Sequence, residues 1–404
     1  MKNILILTYW SYKEPLIQTY TLPYVRIIQK NLNTKSKVYL FTMEQQSLSM
    51  TDKEWAYEKN RLFKENIILM RSKYYKFGIK MVLNFIKIFS LLISTIFFKK
   101  ISYLHAWCTP GGVLGYILSV LTLKPLIIDS YEPHAESMVE NGEWTKSSKA
   151  FKILFWFEKK MSRRAKTVIA LTEGMRNYAE EKYSTVFKNY YVKPALVDFD
   201  KFDLKKPKDK KLIEKYGLKD KIVCIYAGKL GGIYLDNEVF DLFKVMNDYW
   251  GEKIKILLLT SKDKFEVKQQ IKKAGIKEGV IEVLYVNFTE IHKYYRLADF
   301  AINPVKPVPS KRYCTSIKDG EYWAMGLPVI IPNNISDDSQ IIESNNIGVV
   351  LNTLSANEYK KAVKIIDNLL KRDIKTLNGK IKEVAVQYRS FDIAENIYKE
   401  IYEK

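Results

Sequence analysis

Along this chain, short apolar runs rich in Ile, Leu, Val and Tyr alternate with longer segments whose apolar residues recur every three or four positions. The short runs read as strands buried on both faces, and the longer segments as helices laid over them. The runs fall at 4–10, 37–42, 66–71, 102–107, 125–130 and 167–172. After a basic, turn-rich stretch at 200–221 they resume at 222–228, 253–261, 280–287, 299–305, 327–333 and 348–352. Strand and helix alternating in this way predict parallel sheets covered by helices. Two such series predict two doubly wound α/β domains, with a ligand at the carboxyl ends of the strands.

The longest apolar region, 79–98, is interrupted by Lys80, Asn84, Lys87, Ser90 and Ser94. Those spacings of three and four put these polar groups on one stripe of a helix, which a membrane-spanning segment does not need. An amphipathic helix packed on a sheet is expected, with a face that also touches lipid as the alternative. The opening run Ile4-Leu5-Ile6-Leu7 is too short for a secretory leader and no small-residue cleavage site follows, so it reads as a first buried strand.

Composition adds three limits. A length of 404 residues suits two domains of about 200 each. Apolar content of 47% and charged content of 27% are those of a soluble globular protein. Cys108, Cys224 and Cys314 are widely spaced with no CxxC pair, which points to a reducing cytoplasm rather than a disulfide framework. The net charge of +21 bears on partners. One dense cluster runs from Lys146 to Lys166 and carries Phe151, Phe155, Trp156 and Phe157; a second runs from Lys205 to Lys211. The first is either a helix drawn to an anionic membrane surface or a solvated helix whose aromatics are core. No RNA- or DNA-binding motif accompanies the charge, so nucleic acid is not an expected partner.

Candidate chemistry concentrates in 315–330, a loop delivering Lys318 to a helix start, a short helix with Glu321, a Gly-Leu-Pro stop and an apolar strand. A cation and a carboxylate three residues apart share one face of a helical turn. At the mouth of a parallel sheet the pair suits a ligand with an anionic end and a diol end, such as a nucleotide-sugar: the Lys and the helix N-terminus hold diphosphate, and the carboxylate accepts from ribose hydroxyls. The second series opens with Gly228-Lys229-Leu230-Gly231-Gly232 after a strand, where glycines let backbone amides approach phosphate and Lys229 adds charge; a plain strand-to-helix turn is the other reading.

These segments resemble the donor-binding signature of GT-B glycosyltransferases, of the kind grouped in glycosyltransferase family 4. The resemblance runs through most of the chain. Of the family's usual glutamate pair, the second matches Glu321, while Tyr313 stands where the first is common; Thr315, Ser316 or Lys318 would take over part of its role. The resemblance implies two Rossmann-like domains facing across a cleft: residues 1–203 with a returning C-terminal helix, 388–404, as the acceptor domain, and 204–387 as the nucleotide-sugar domain. It places Gly228, Lys229, Leu230, Gly231, Val286, Thr315, Ser316, Ile317, Lys318 and Glu321 at the donor, with the loop 286–290 beside the base.

In the first half, the loop after the strand 125–130 holds Asp129, Glu132 and His134. His134 suits a sugar hydroxyl or a shared proton, and Glu132 or Asp129 suits the acceptor; Asp129 as a turn cap and His134 as a surface residue are the plain alternatives. Gly111 and Gly112 either line the acceptor cleft or fit a tight turn, and Trp10 and Tyr12 offer rings for stacking on a sugar or a lipid-linked acceptor. With no HExxH, cysteine cluster or DxD at a strand end, no metal or other cofactor is expected, and Lys and backbone amides are left to stabilise the leaving group.

The expected activity is a hexosyltransferase that retains anomeric configuration, with His134, Lys229, Lys318 and Glu321 as its catalytic set. Its acceptor would be a glycan or lipid-linked hydroxyl in cell-surface polysaccharide or glycolipid assembly. The expected location is the cytoplasm, with peripheral attachment to the inner membrane face. The rivals are another nucleotide-sugar enzyme, such as a GT-B epimerase, and a non-catalytic binder of anionic polymer.

Overall fold

The computed structural model describes residues 2–75 and 79–403, so Met1 and Lys404, the outer ends of the expected domains, lie outside the described residues. The first sheet contains β1 (Asn3–Leu7), β2 (Val38–Glu44), β3 (Ile67–Lys73), β4 (Ile101–Trp107), β5 (Leu126–Tyr131), β6 (Thr167–Ala170) and β7 (Tyr190–Val192). The second contains β8 (Ile222–Ala227), β9 (Ile254–Leu259), β10 (Ile281–Leu284), β11 (Phe300–Ile302), β12 (Val329–Pro332) and β13 (Gly348–Leu351). The orders are β3-β2-β1-β4-β5-β6-β7 and β10-β9-β8-β11-β12-β13, and the strand pairs are parallel.

Every run expected to be a strand is one. The reason is visible in β1, β2 and β5, whose residues are buried throughout, as central strands covered on both faces must be. β7 was not expected; three half-buried residues at a sheet edge leave too short an apolar signature. Strand order reverses direction between β1 and β4 in the first sheet and between β8 and β11 in the second. At such a switch point the loops leaving the two strands diverge and open a crevice at their carboxyl ends.

The chain forms two compact units: Met1–Val139 with Trp144–Pro194 and Phe391–Lys404, and Glu140–Glu143 with Ala195–Ser390. The passage thus falls between Pro194 and Ala195, ahead of the expected 203/204, because 195–203 is tied into the second unit. Val197 N donates to Arg389 O at 2.9 Å, and the Phe202 ring stacks on Tyr295 at 5.8 Å. The closing helix Asp392–Glu403 does belong to the first unit. There Tyr398 donates to buried Asp129 at 2.6 Å, and the Tyr402 hydroxyl bonds His105.

Candidate functional site

The helix Ile317–Ala324 follows the loop that leaves β11, beside the switch point of the second sheet. Ser316, its N-cap residue, makes no side-chain capping bond to the helix, and the Asp338 carboxylate accepts from the Ser316 backbone. Its loop is locked from below instead. Asn303, at the end of β11, donates to Ser316 Oγ at 2.8 Å and to both oxygens of Asp319, at 2.9 and 2.8 Å. Arg389 donates to Thr315 Oγ1 at 2.7 Å and forms a wholly buried ion pair with Asp338. Burial pushes the Asp319 carboxyl well above its usual range, and neighbouring Asp338 adds to the shift. Asp338 is raised by the same burial, with Arg389 opposing. Two buried carboxyls beside one guanidinium thus oppose each other's ionisation, and the guanidinium favours it.

On this base Lys318 and Glu321 take their positions. The Lys318 ammonium donates to the Tyr234 hydroxyl at 2.6 Å and lies 4.2 Å from the Tyr234 ring centre. Its side chain crosses Gly228: a β-carbon there would stand 2.8 Å from Lys318 Cε and 2.9 Å from the Tyr226 hydroxyl. A side chain at 228 would have to displace the Lys318 and Tyr226 side-chain ends, and its absence lets Lys318 cross the loop after β8. Gly231 and Gly232, at φ of +78° and +65°, turn that loop in the left-handed region. The loop forms a bridge from Tyr234 to Val305 before the next helix starts at Asn237, later than the simple strand–turn–helix expected. Lys229 is exposed in the loop, and its carbonyl accepts from Tyr226. A cavity of about 180 Å³ beside Lys318 is lined by Tyr234, Thr315, Ser316 and Ile317 among others. That is below the roughly 300 Å³ of a whole small-molecule pocket, so it accommodates only part of a ligand.

Glu321 is 5% exposed and accepts from Tyr295 at 3.2 Å. Burial pushes its carboxyl up to about 7, against the pull of the Tyr295 hydrogen bond, Lys201 and Lys318. Both cations therefore act on one carboxylate. Lys201 donates to Phe288 O at 3.1 Å, and its ammonium lies 3.2 Å from the Phe288 ring centre. This joins the loop holding Val286 to Glu321; within that loop Thr289 N bonds Asn287 Oδ1 at 3.0 Å. The structure thus brings Gly228, Lys318, Glu321 and the loops at 228–234 and 286–290 to one end of the second sheet.

Several members of this site escape sequence reading: Lys201, Tyr234, Tyr295, Asn303, Asp319, Asp338 and Arg389. Asp319 and Arg389 look like ordinary helix-surface charges, and only their partners, distant in sequence, mark them. Asp338 is the first residue of the helix Asp338–Asn345 and also holds Arg389.

The first unit corrects part of the expected acceptor set. Tyr12 is 2% exposed, and its hydroxyl donates to Glu58 at 2.8 Å and accepts from Arg61 at 3.2 Å, so its ring is not open for stacking. Gly111 and Gly112 are buried inside the helix Cys108–Thr122. A β-carbon on them would meet Leu7 O and Met161 Sδ, each at 2.7 Å, so Gly111 seats the helix on the sheet and Gly112 packs it against the helix Lys149–Arg164. Asp129 is wholly buried, 3.1 Å from Lys193 Nζ and 3.1 Å from His105, and held down to about 2. Although burial acts to raise it, Lys193 and His105 outweigh that effect. It neither caps a turn nor reaches an acceptor. Trp10 and Glu132 remain half-buried at the carboxyl end of the sheet, and His134 Nδ1 stands 3.6 Å from Glu132. Among the described residues no three His, Cys, Asp or Glu side chains group as metal ligands.

Residues 308–401 match the family model described as "Glucosyltransferase 3-like, C-terminal domain". No curated protein matches the sequence. HepE of Anabaena, solved in complex with UDP, has a TM-score of 0.71 at 15% identity over 99% of both chains, and it was also solved with UDP-glucose. A glycosyltransferase from Rickettsia africae ESF-5 gives 0.68 at 16% identity, covering 99% of this chain and 98% of that one. WaaG, a glycosyltransferase involved in lipopolysaccharide biosynthesis, gives 0.68 at 12% over 99% of each. The fold is that of GT-B glycosyltransferases, two parallel-sheet α/β domains, and the resemblance read from the sequence is borne out to that extent.

Proposed function

We propose that the chain is a glycosyltransferase that takes a sugar from a nucleoside diphosphate-sugar and passes it to a hydroxyl acceptor. The observation that carries this reading is the convergence of Lys318 and Glu321, from one helical turn, on the loops at the switch point of the second sheet. The uncapped helix start, Lys318 and Lys229 supply positive potential for a diphosphate. Glu321, accepting from the Tyr295 hydroxyl among the described residues, keeps acceptor capacity for a ribose diol. The match of 308–401 to a glucosyltransferase-like domain, and the UDP and UDP-glucose complexes of HepE, support a uridine nucleotide as the first donor to try.

In the retaining course favoured by likeness to family 4, the bond from the sugar anomeric carbon to the diphosphate oxygen breaks. The acceptor oxygen bonds the same carbon on the same face, and its proton passes to the departing phosphate oxygen. Lys318, Lys229 and the loop amides stabilise the charge that develops on that phosphate. His134, oriented by Glu132, is assigned to the transferred sugar. No metal is required in this scheme, and the acceptor is a glycan or lipid-linked hydroxyl presented in the cytoplasm.

Calorimetric titration with UDP, GDP, ADP and CMP, followed by product analysis with the matching nucleotide-sugar, tests the reading. Binding of one nucleoside diphosphate, weakened roughly thirtyfold in Lys318→Ala, is expected, with turnover unchanged by EDTA. Absence of any nucleotide binding overturns it. Donor epimerised without an acceptor would point to the epimerase instead.

A further inference from the structure

The helix Ile79–Phe98 of the first unit is about 30 Å long, at about 1.5 Å per residue, and only 22% of its apolar stretch is buried. Its inner face is complete: Ile88, Leu92, Thr95 and Ile96, at helical spacing, pack inward. Asn84 ties it to the end of β3 by donating to Lys73 O at 2.7 Å. The opposite face is not the polar stripe expected from the sequence. Ile79, Val82, Leu83 and Ile86 repeat the same spacing there, and Phe97 returns to that side five turns later; they are 80%, 55%, 55%, 62% and 59% exposed. Lys80 and Lys87 run alongside, and Lys99 and Lys100 close the end, all exposed. The next helix, which packs against this one, adds exposed Val120, Leu121 and Leu123 at its C-terminal end.

We infer that this face docks the first unit on an anionic lipid bilayer, with the helix lying in the plane of the headgroups. Charge selects this occupant. From residue 66 to residue 128 the chain contains no Asp or Glu, and every charged side chain there is Lys or Arg. A second copy seated on the face would set lysines against lysines, a repulsion with no counter-charge in the segment. A bilayer rich in acidic lipid supplies both the apolar depth for the exposed Ile, Leu and Phe side chains and the negative charge for the flanking lysines. The packed inner face and the Asn84 tether keep the helix parallel to the surface rather than across it. The basic helix Lys149–Arg164 is the weaker anchor, since its aromatics are largely half-buried, with Ile153 and Trp156 the well-exposed apolar side chains.

The inference stands on the first unit and does not depend on the donor reading. The test is sedimentation of the full chain with vesicles of pure phosphatidylcholine, and of phosphatidylcholine with roughly one-third phosphatidylglycerol. Binding to the anionic vesicles alone is expected, weakening as salt rises and falling roughly tenfold or more in the double variant Leu83→Glu, Ile86→Glu. Both side chains are exposed, so nucleotide binding and Tm should not move. Should the variant fold poorly, hydrogen exchange of the wild-type helix with and without vesicles reads the same contact, protection appearing only with anionic lipid. Failure to sediment with anionic vesicles overturns the inference. So does a self-association, seen by sedimentation equilibrium, that the variant abolishes.

Discussion

The two sheets repeat one design, yet their carboxyl rims are used differently. In the first unit much of the rim is committed to structure: Tyr12 satisfies Glu58 and Arg61, Gly111 seats a helix on Leu7, and Asp129 neutralises Lys193. In the second unit the comparable ion pair, Arg389 with Asp338, sits behind the helix start, and the rim keeps Lys318, Lys229 and a carboxylate raised to about 7 by burial. A switch point is only an opening. It becomes a ligand site where buried charge supports the loop instead of occupying it.

The largest expected effect breaks the support. Arg389→Ala leaves two buried carboxyls without their cation and should cost about 3–5 kcal/mol, read as a lower urea midpoint for the second unit. Next, Glu321→Gln should separate stability from binding. A buried carboxyl raised from 4.5 to about 7 binds its proton more tightly folded than unfolded, so stability falls as pH rises from about 4.5 to 7. The Gln variant should flatten that slope and gain up to about 3 kcal/mol at pH 8 in the unliganded protein, while binding the nucleotide more weakly. In the wild type, affinity should rise with pH through about 7, as the carboxylate becomes an acceptor for the ribose. Lys318→Ala should cost about 2 kcal/mol of diphosphate affinity, roughly thirtyfold in Kd by calorimetry, with little change in Tm. The smallest change, Tyr12→Phe, tests the other rim: about 1 kcal/mol of stability lost with an unaltered nucleotide Kd. A large loss of affinity there would show that the rims are not divided as described.

The strand series was legible because buried parallel strands are apolar throughout, and only the three-residue β7 fell below that signal. Lys318, Glu321 and Gly228 were legible because a loop–helix–strand punctuated by glycine and proline is a local pattern. Lys201, Asn303 and Arg389 were not, since each acquires meaning from a partner on another element. Tyr12 and Gly111 misled for the reverse reason. Aromatics and glycines near a strand end look alike whether they face a ligand or a packed helix, and only burial separates the two.

The first unit draws its final helix from the far end of the chain, and Tyr398 and Tyr402 reach Asp129 and His105 only when that helix is in place. During synthesis the seven-stranded sheet therefore emerges from the ribosome with its central acid and histidine lacking these two hydroxyls. The whole second unit must be translated before they arrive. Completion of the first unit therefore waits on synthesis of the second, and a nascent chain halted near residue 390 should expose its first half to protease and chaperone alike.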